Sequence, residues 1–254
     1  MKLHIPVVHG VIDRRILVNF RVLPHILERI LPRPFNPKVI HGWGMAGICL
    51  IRLSRIRLKG FPAILGVTSE NAAHRIAVEW DAEDEQHEGV FIPRRDTSSR
   101  LQALAGGRVF PGVHYHSPFQ VTERGDAFAV AMTNPKDGTD VSVHARLSEH
   151  LPRTSVFESL EEASEFFQRG SLSYSVTNCH GCFEGLELRT EGWRMEPLRV
   201  DHVESSYFAN VDLFPRGSVE FDSAFLMRGI PHEWHSRETL NSCKQELCKT
   251  PLPI

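Results

Sequence analysis

The stretch VSVHARLS (residues 141–148) alternates without a break. Val141, Val143, Ala145 and Leu147 fall on one face of an extended chain, and Ser142, His144, Arg146 and Ser148 on the other. A period of two with one apolar face is the pattern of a half-buried antiparallel strand. RILVNFRV (15–22), HRIAVEWD (74–81), LSYSVTN (172–178) and SVEFDSAF (218–225) repeat it less cleanly. Clusters of Gly, Pro, Asn and Asp, such as NPKDG (134–138), separate these runs and suit hairpins.

Helical signals are few and short. In SLEEASEFFQRG (159–170), Ser159 and Glu162 make a capping box, Glu161 adds charge to the first turn, and Arg169-Gly170 form an end. LPHILERILP (23–32) has one proline for its first turn and another to stop it. DTSSRLQALAGG (96–107) starts at a Ser/Thr cluster and stops at a glycine pair. Strands without regularly alternating helices argue against a parallel α/β sheet. The expectation is a mainly β fold of the β-rich α+β kind, an antiparallel β-barrel or sandwich with a few short outer helices. A chain of 254 residues buries one sizeable core or two lobes sharing one. No repeat or linker divides it, so residues 1–254 read as one domain. Residues 237–254 read as a C-terminal tail, with a short helix before TPLPI.

The net charge of −2 gives no electrostatic reason to expect nucleic acid or a membrane surface as partner. No apolar run approaches the roughly 20 residues that a membrane span needs. LHIPVVHGVI (3–12) holds two histidines and a proline and leads to no small-residue cleavage site, so it does not read as a signal peptide. Five cysteines without such a signal point to a reduced, cytoplasmic protein.

Three motifs resemble known sites without completing them. HGWGMAG (41–47) contains G-x-G-x-x-G, but a strand-like ICLIRL follows it where a helix is needed, and PAILGV (62–67) lacks the acid. It reads as a glycine-rich hairpin. CHGC (179–182) offers two thiols where a structural zinc needs four ligands, and it reads as a hairpin turn. PHEWH (231–235) is H-E-x-H, one residue short of the spacing that puts both histidines on one helical face. A turn, an interface or a capping histidine is the plainer reading. No metal and no cofactor is expected.

From Arg14 to about His235 the chain resembles the uncharacterised YqjF-like family of the acetoacetate decarboxylase-like superfamily. The stretches that carry this are NFRVLPHILERILPRPF (19–35), GICLIRL (47–53), TSENAAHRIAVEW (68–80), GVFIPRRDTSSRLQALAGGRVFPG (89–112), SLEEASEFFQRGS (159–171) and GSVEFDSAFLMRGIPHEWH (217–235). The resemblance implies a largely antiparallel, cone-shaped β-barrel with an internal pocket. It places Arg21 at the first-strand arginine of the decarboxylase and Glu70 at a pocket glutamate. A second pocket glutamate is missing, because IRLSR (51–55) carries arginines there. The decarboxylase nucleophile is the first of two adjacent lysines, shortly after a glycine-arginine pair. Counting from Gly107-Arg108 puts that pair at Tyr115-His116. A Schiff base needs a primary amine, and no lysine occurs between Lys59 and Lys136. The fold is therefore expected without the family chemistry.

In VHYHSPFQV (113–121), Val113, Tyr115, Ser117, Phe119 and Val121 share one strand face, and His114, His116, Pro118 and Gln120 the other. The more apolar face is expected to point inward, taking Tyr115 into the pocket as an acid or hydrogen-bond donor. A core tyrosine is the plain alternative. Arg21 suits bidentate capture of a carboxylate, against an ion pair with Glu70 or another acid. Glu70 suits a general base, against a turn cap. Arg94, Arg95, Arg100 and Arg108 either line a pocket mouth or form a charged turn in which Asp96 pairs with a neighbouring arginine, and the charged turn is the favoured reading. Arg108 is carried forward as a substrate-binding candidate. Three functions stay open: an enzyme acting on a small carboxylate or carbonyl compound, a non-catalytic binder of such a ligand, or a structural barrel with a filled interior. Homo-oligomerisation is also left open.

Overall fold

The computed structural model describes residues 7–62, 66–82, 85–106 and 111–241. In chain order the elements begin with β1 (Val8–Val22), α1 (Pro24–Ile30), β2 (Asn36–Pro37), β3 (Val39–Ile40), β4 (Trp43–Leu58) and β5 (Val67–Ala82). Next come β6 (Glu85–Thr97), α2 (Arg100–Ala105), β7 (His114–His116), β8 (Phe119–Arg124), β9 (Ala127–Thr133) and β10 (Asp140–Leu147). The last are α3 (Leu160–Arg169), β11 (Leu172–Val176), β12 (Cys182–Thr190), β13 (Glu196–Ser205) and β14 (Val219–Asn241).

The strands β1-β4-β5-β6-β11-β12-β14 follow one another, and β1 pairs with β14 to close a ring. Its neighbours are antiparallel except β6 and β11, which run parallel. From β14 a wing continues through β13, β10, β9 and β8. Closure removes the exposed edges that a flat sheet of this length would present. The expected mainly β, antiparallel architecture with short helices is therefore present, as a ring with a wing.

Two apolar clusters follow from strand parity. Ile16, Val18, Ile48, Leu50 and Ile76 on the outer face of the ring pack against Val130, Met132, Val141 and Val143 of the wing. Leu17, Cys49, Ile51, Leu53 and Phe225 take the opposite, inner face, where Phe166 and Phe167 of α3 join them. The alternation of VSVHARLS serves the first cluster, as β10 lies between β9 and β13 with Val141, Val143 and Ala145 buried.

Local signals translate largely as expected. Ser159 Oγ accepts the Glu162 N–H at 3.1 Å at the start of α3. The reciprocal bond of the box is displaced by one residue, for Glu162 accepts the Glu158 N–H at 2.7 Å instead. HGWGMAG turns tightly between β3 and β4, with His41 and Gly42 at φ 48° and 82°. A Cβ at Gly47 would lie 2.3 Å from the Val18 carbonyl oxygen, so this glycine serves strand packing. CHGC forms the turn between β11 and β12, with Gly181 at φ 74°. PHEWH lies inside β14 rather than in a turn. The first residues of the expected tail, 237–241, also belong to β14, and its expected short helix lies outside the described residues.

Candidate functional site

Register decides which side chains enter the ring. Arg15 of β1 stands opposite Ile51 of β4, and Leu17 opposite Cys49. Cys49 faces Ala73 of β5, and Ala73 faces Arg95 of β6. Same-face residues recur every two positions, so Arg75 of β5 is inward as well. Three arginines on three strands thus enter one interior.

One end of that interior is a small, mostly apolar cavity of about 70 Å³. Ile51, Leu53, Ala73, Arg95, His114 and Trp234 line it. Arg95 donates Nε to Ser175 Oγ at 3.0 Å and Nη2 to Ser173 Oγ at 3.5 Å. Burial pushes its guanidinium down to about 10, so it stays charged at neutral pH. Arg95 forms no salt bridge among the described residues, whereas the adjacent Arg94 forms two, to Asp96 and Asp137.

His114 pairs in register with Arg95, because β7 runs parallel to β6. Burial, with the Arg95 charge second, lowers its pKa to about 4. The imidazole is therefore neutral at physiological pH. Nδ1 lies 3.0 Å from the Gly112 carbonyl oxygen. A carbonyl only accepts, so Nδ1 carries the proton and Nε2 keeps its lone pair.

Toward α3 the interior stays cationic. Arg15 donates Nε to Cys49 Sγ at 3.2 Å, and its guanidinium lies over Trp193. Arg75 donates Nη2 to Asn19 Oδ1 and stacks over Phe167 at 4.9 Å. Burial pushes Arg75 down to about 10. Neither arginine forms a salt bridge among the described residues.

The residues expected at the site do not converge. Arg52 donates Nε to Glu70 Oε1 at 2.6 Å, and Arg14 donates Nη2 to Glu70 Oε2 at 2.6 Å. Glu123 of β8 accepts from both of these arginines. Glu70 thus belongs to an ion-pair ladder that ties the wing to the ring, and both its oxygens are committed. Arg21 pairs with Glu220, donates to the Thr154 carbonyl, and lies over Trp43. It is six residues beyond Arg15, roughly 20 Å along β1 and away from the cavity. Arg108 lies outside the described residues.

Tyr115 corrects the expected orientation. It stands opposite Asp96, is 41% exposed, and lies 4.4 Å beneath the Arg94 guanidinium. The alternation itself holds, but the sign is reversed: His114 enters the cavity and Tyr115 leaves it. The apolar count across 113–121 spanned two elements, β7 and the separate β8, which Pro118 divides. The charged-turn reading is right for Arg94, which forks onto Asp96 at 2.7 and 2.8 Å, and not for Arg95.

Arg95 was obscured by a β-bulge. On β5, His74 and Ile76 are two apart, while their β6 partners Arg94 and Phe91 are three apart. The extra residue reverses the faces beyond it, so Ile92 and Arg95 can both point inward. Pro93 is the sequence signal, since proline inside a sheet is confined to edges and bulges.

Among the described residues no group of three or more His, Cys, Asp or Glu side chains is placed to hold a metal, and no helix is long and apolar enough to cross a membrane.

Residues 12–220 match the model of DUF2071, described as an uncharacterized conserved protein family. No functionally curated protein matches the chain in sequence. Solved structures resemble it in fold. An acetoacetate decarboxylase from Legionella pneumophila has a TM-score of 0.60 and 10% identity, over 91% of this chain and 86% of its own. The enduracididine biosynthesis enzyme MppR, solved with pyruvate, has a TM-score of 0.61 and 10% identity, over 95% and 92%. An acetoacetate decarboxylase-like enzyme from Sphingomonas wittichii RW1 has a TM-score of 0.58 and 9% identity, over 94% and 93%.

Proposed function

This chain belongs to the DUF2071 family, and from that premise we propose that its ring interior binds a small carboxylate or carbonyl-bearing acid, with Arg95 as the anchor. The observation that carries the reading is a charged guanidinium with no carboxylate partner among the described residues, in a mostly apolar cavity whose own carboxylate, Asp96, is engaged by Arg94. Such a fork matches a carboxylate in shape and charge. A similar fold holding pyruvate in MppR supports a ligand of this class. The narrower YqjF-like grouping, carried by residues 19–35, 89–112 and 217–235, is part of the same proposal.

Among the described residues no lysine lines the cavity, and none occurs in sequence between Lys59 and Lys136. Lys38, nearer α3, is engaged by Glu88 and by the Phe166 ring. Schiff-base decarboxylation therefore has no amine at the proposed site. His114 presents a neutral Nε2 lone pair there, which can accept a hydrogen bond from a ligand held by Arg95. An open cavity favours ligand binding over a barrel filled for structure alone, and turnover distinguishes an enzyme from a binder.

Calorimetric titration with butyrate, pyruvate and acetoacetate tests the reading. At least one should bind, and Arg95→Gln should weaken it by about 2–4 kcal/mol, while Arg21→Ala leaves it unchanged. Binding lost with Arg21→Ala and kept with Arg95→Gln would move the anchor to the other end of β1.

A further inference from the structure

The interior holds more positive charge than one monocarboxylate can balance. An arginine cannot relieve burial by releasing its proton near neutral pH, so each buried guanidinium needs a counter-charge or its hydrogen bonds. Arg75 is 6% exposed and its Nε has no partner. Arg15 Nη1 is likewise buried without a partner. Both line a small cavity of about 20 Å³ walled by Phe166 and Phe167. Lys38 reaches the same cavity but is already neutralised by Glu88. Two cationic groups with unfilled donors therefore face one small space behind α3.

This second position is close to the first. Ala73 pairs with Arg95 and lies two residues from Arg75 on β5, which puts the backbones of the two arginines roughly 8 Å apart. The Cys49 thiol accepts from Arg15, and Cys49 faces Ala73, the register partner of Arg95, so the three arginines share one stretch of the inner face. We propose that Arg15 and Arg75 form a second acid-binding position, and that the ligand is a single compound with two acidic groups, one held at Arg95 and the other at Arg15 and Arg75. The spacing suits a dicarboxylate of about four to six carbons, whose acid groups lie roughly 4–7 Å apart. This rests on the small-acid reading above and names its ligand class.

Titration calorimetry at fixed ionic strength, with butyrate against succinate, glutarate and adipate, decides it. One dicarboxylate should bind per chain, at least about tenfold more tightly than butyrate. Arg75→Gln should bring the best dicarboxylate down toward the affinity of butyrate, and Arg75→Lys should restore part of the difference. The wild-type comparison stands by itself if either variant fails to fold. Equal affinities for the two classes, or two butyrates bound per chain with no dicarboxylate advantage, would overturn the two-acid ligand while leaving the small-acid reading intact. No binding of either class would remove both.

Discussion

Arg94 and Arg95 are neighbours on β6 and have opposite fates. Arg94 forks onto Asp96, while Arg95 enters the cavity and, among the described residues, donates to the hydroxyls of Ser173 and Ser175. One residue of alternation separates a guanidinium paired with carboxylates from one bonded to hydroxyls. Buried ion pairs and buried single charges differ most in what removal does to them.

Arg95→Met should raise the melting temperature, because it replaces a partly buried cation that has no ion-pair partner among the described residues by an apolar side chain of similar length. A gain of about 1–3 kcal/mol is expected by chemical denaturation, together with loss of acid binding. A variant less stable than wild type would mean that the two serine contacts outweigh the buried charge.

Glu70→Gln should act in the opposite sense. Arg14, whose side chain is 2% exposed, would keep its charge and lose a carboxylate, at a cost of about 3 kcal/mol. Acid binding measured on the folded variant should stay at the wild-type level. Weakened binding without loss of stability would return Glu70 to the list of site residues.

Acid should destabilise the fold through histidines buried as neutral bases. His74, His114 and His232 have pKa values lowered by burial from 6.5 to about 4. The unfolded chain therefore takes up protons at a higher pH than the folded one. The contribution to stability is full above about pH 6.5 and is lost as pH falls toward 4. For His74 and His232, 0% and 2% exposed, it is on the order of 3 kcal/mol each. Denaturation curves collected from pH 7 to 4 should show the decline, and His74→Leu should flatten it.

Borohydride added with acetoacetate should leave no reduced adduct on a lysine, as read by intact-mass and peptide mass spectrometry. A stoichiometric lysine adduct would restore the decarboxylase mechanism and identify its amine.

Much of the fold was legible because it rests on local rules. The alternation of VSVHARLS, the Ser159 cap and the Gly42 turn each express a preference that holds within a few residues. The absence of any lysine between Lys59 and Lys136 was equally legible, since it is a property of the sequence alone. The site was less so. Alternation separates Tyr115 from His114 and Arg94 from Arg95, but it does not say which face of the ring points inward.

The sequence by itself determined the strand-rich class and the short capped helices. Tertiary structure decided the rest through register. The bulge at Pro93 turned Arg95 inward, and the parallel docking of β7 on β6 brought His114 beside it and left Tyr115 under Arg94. Long-range pairing placed Glu70 with Arg14 and Arg52, and Arg21 with Glu220. The physical reason is that the side of a strand is a property of the pairing across the ring, and a single inserted residue reverses it.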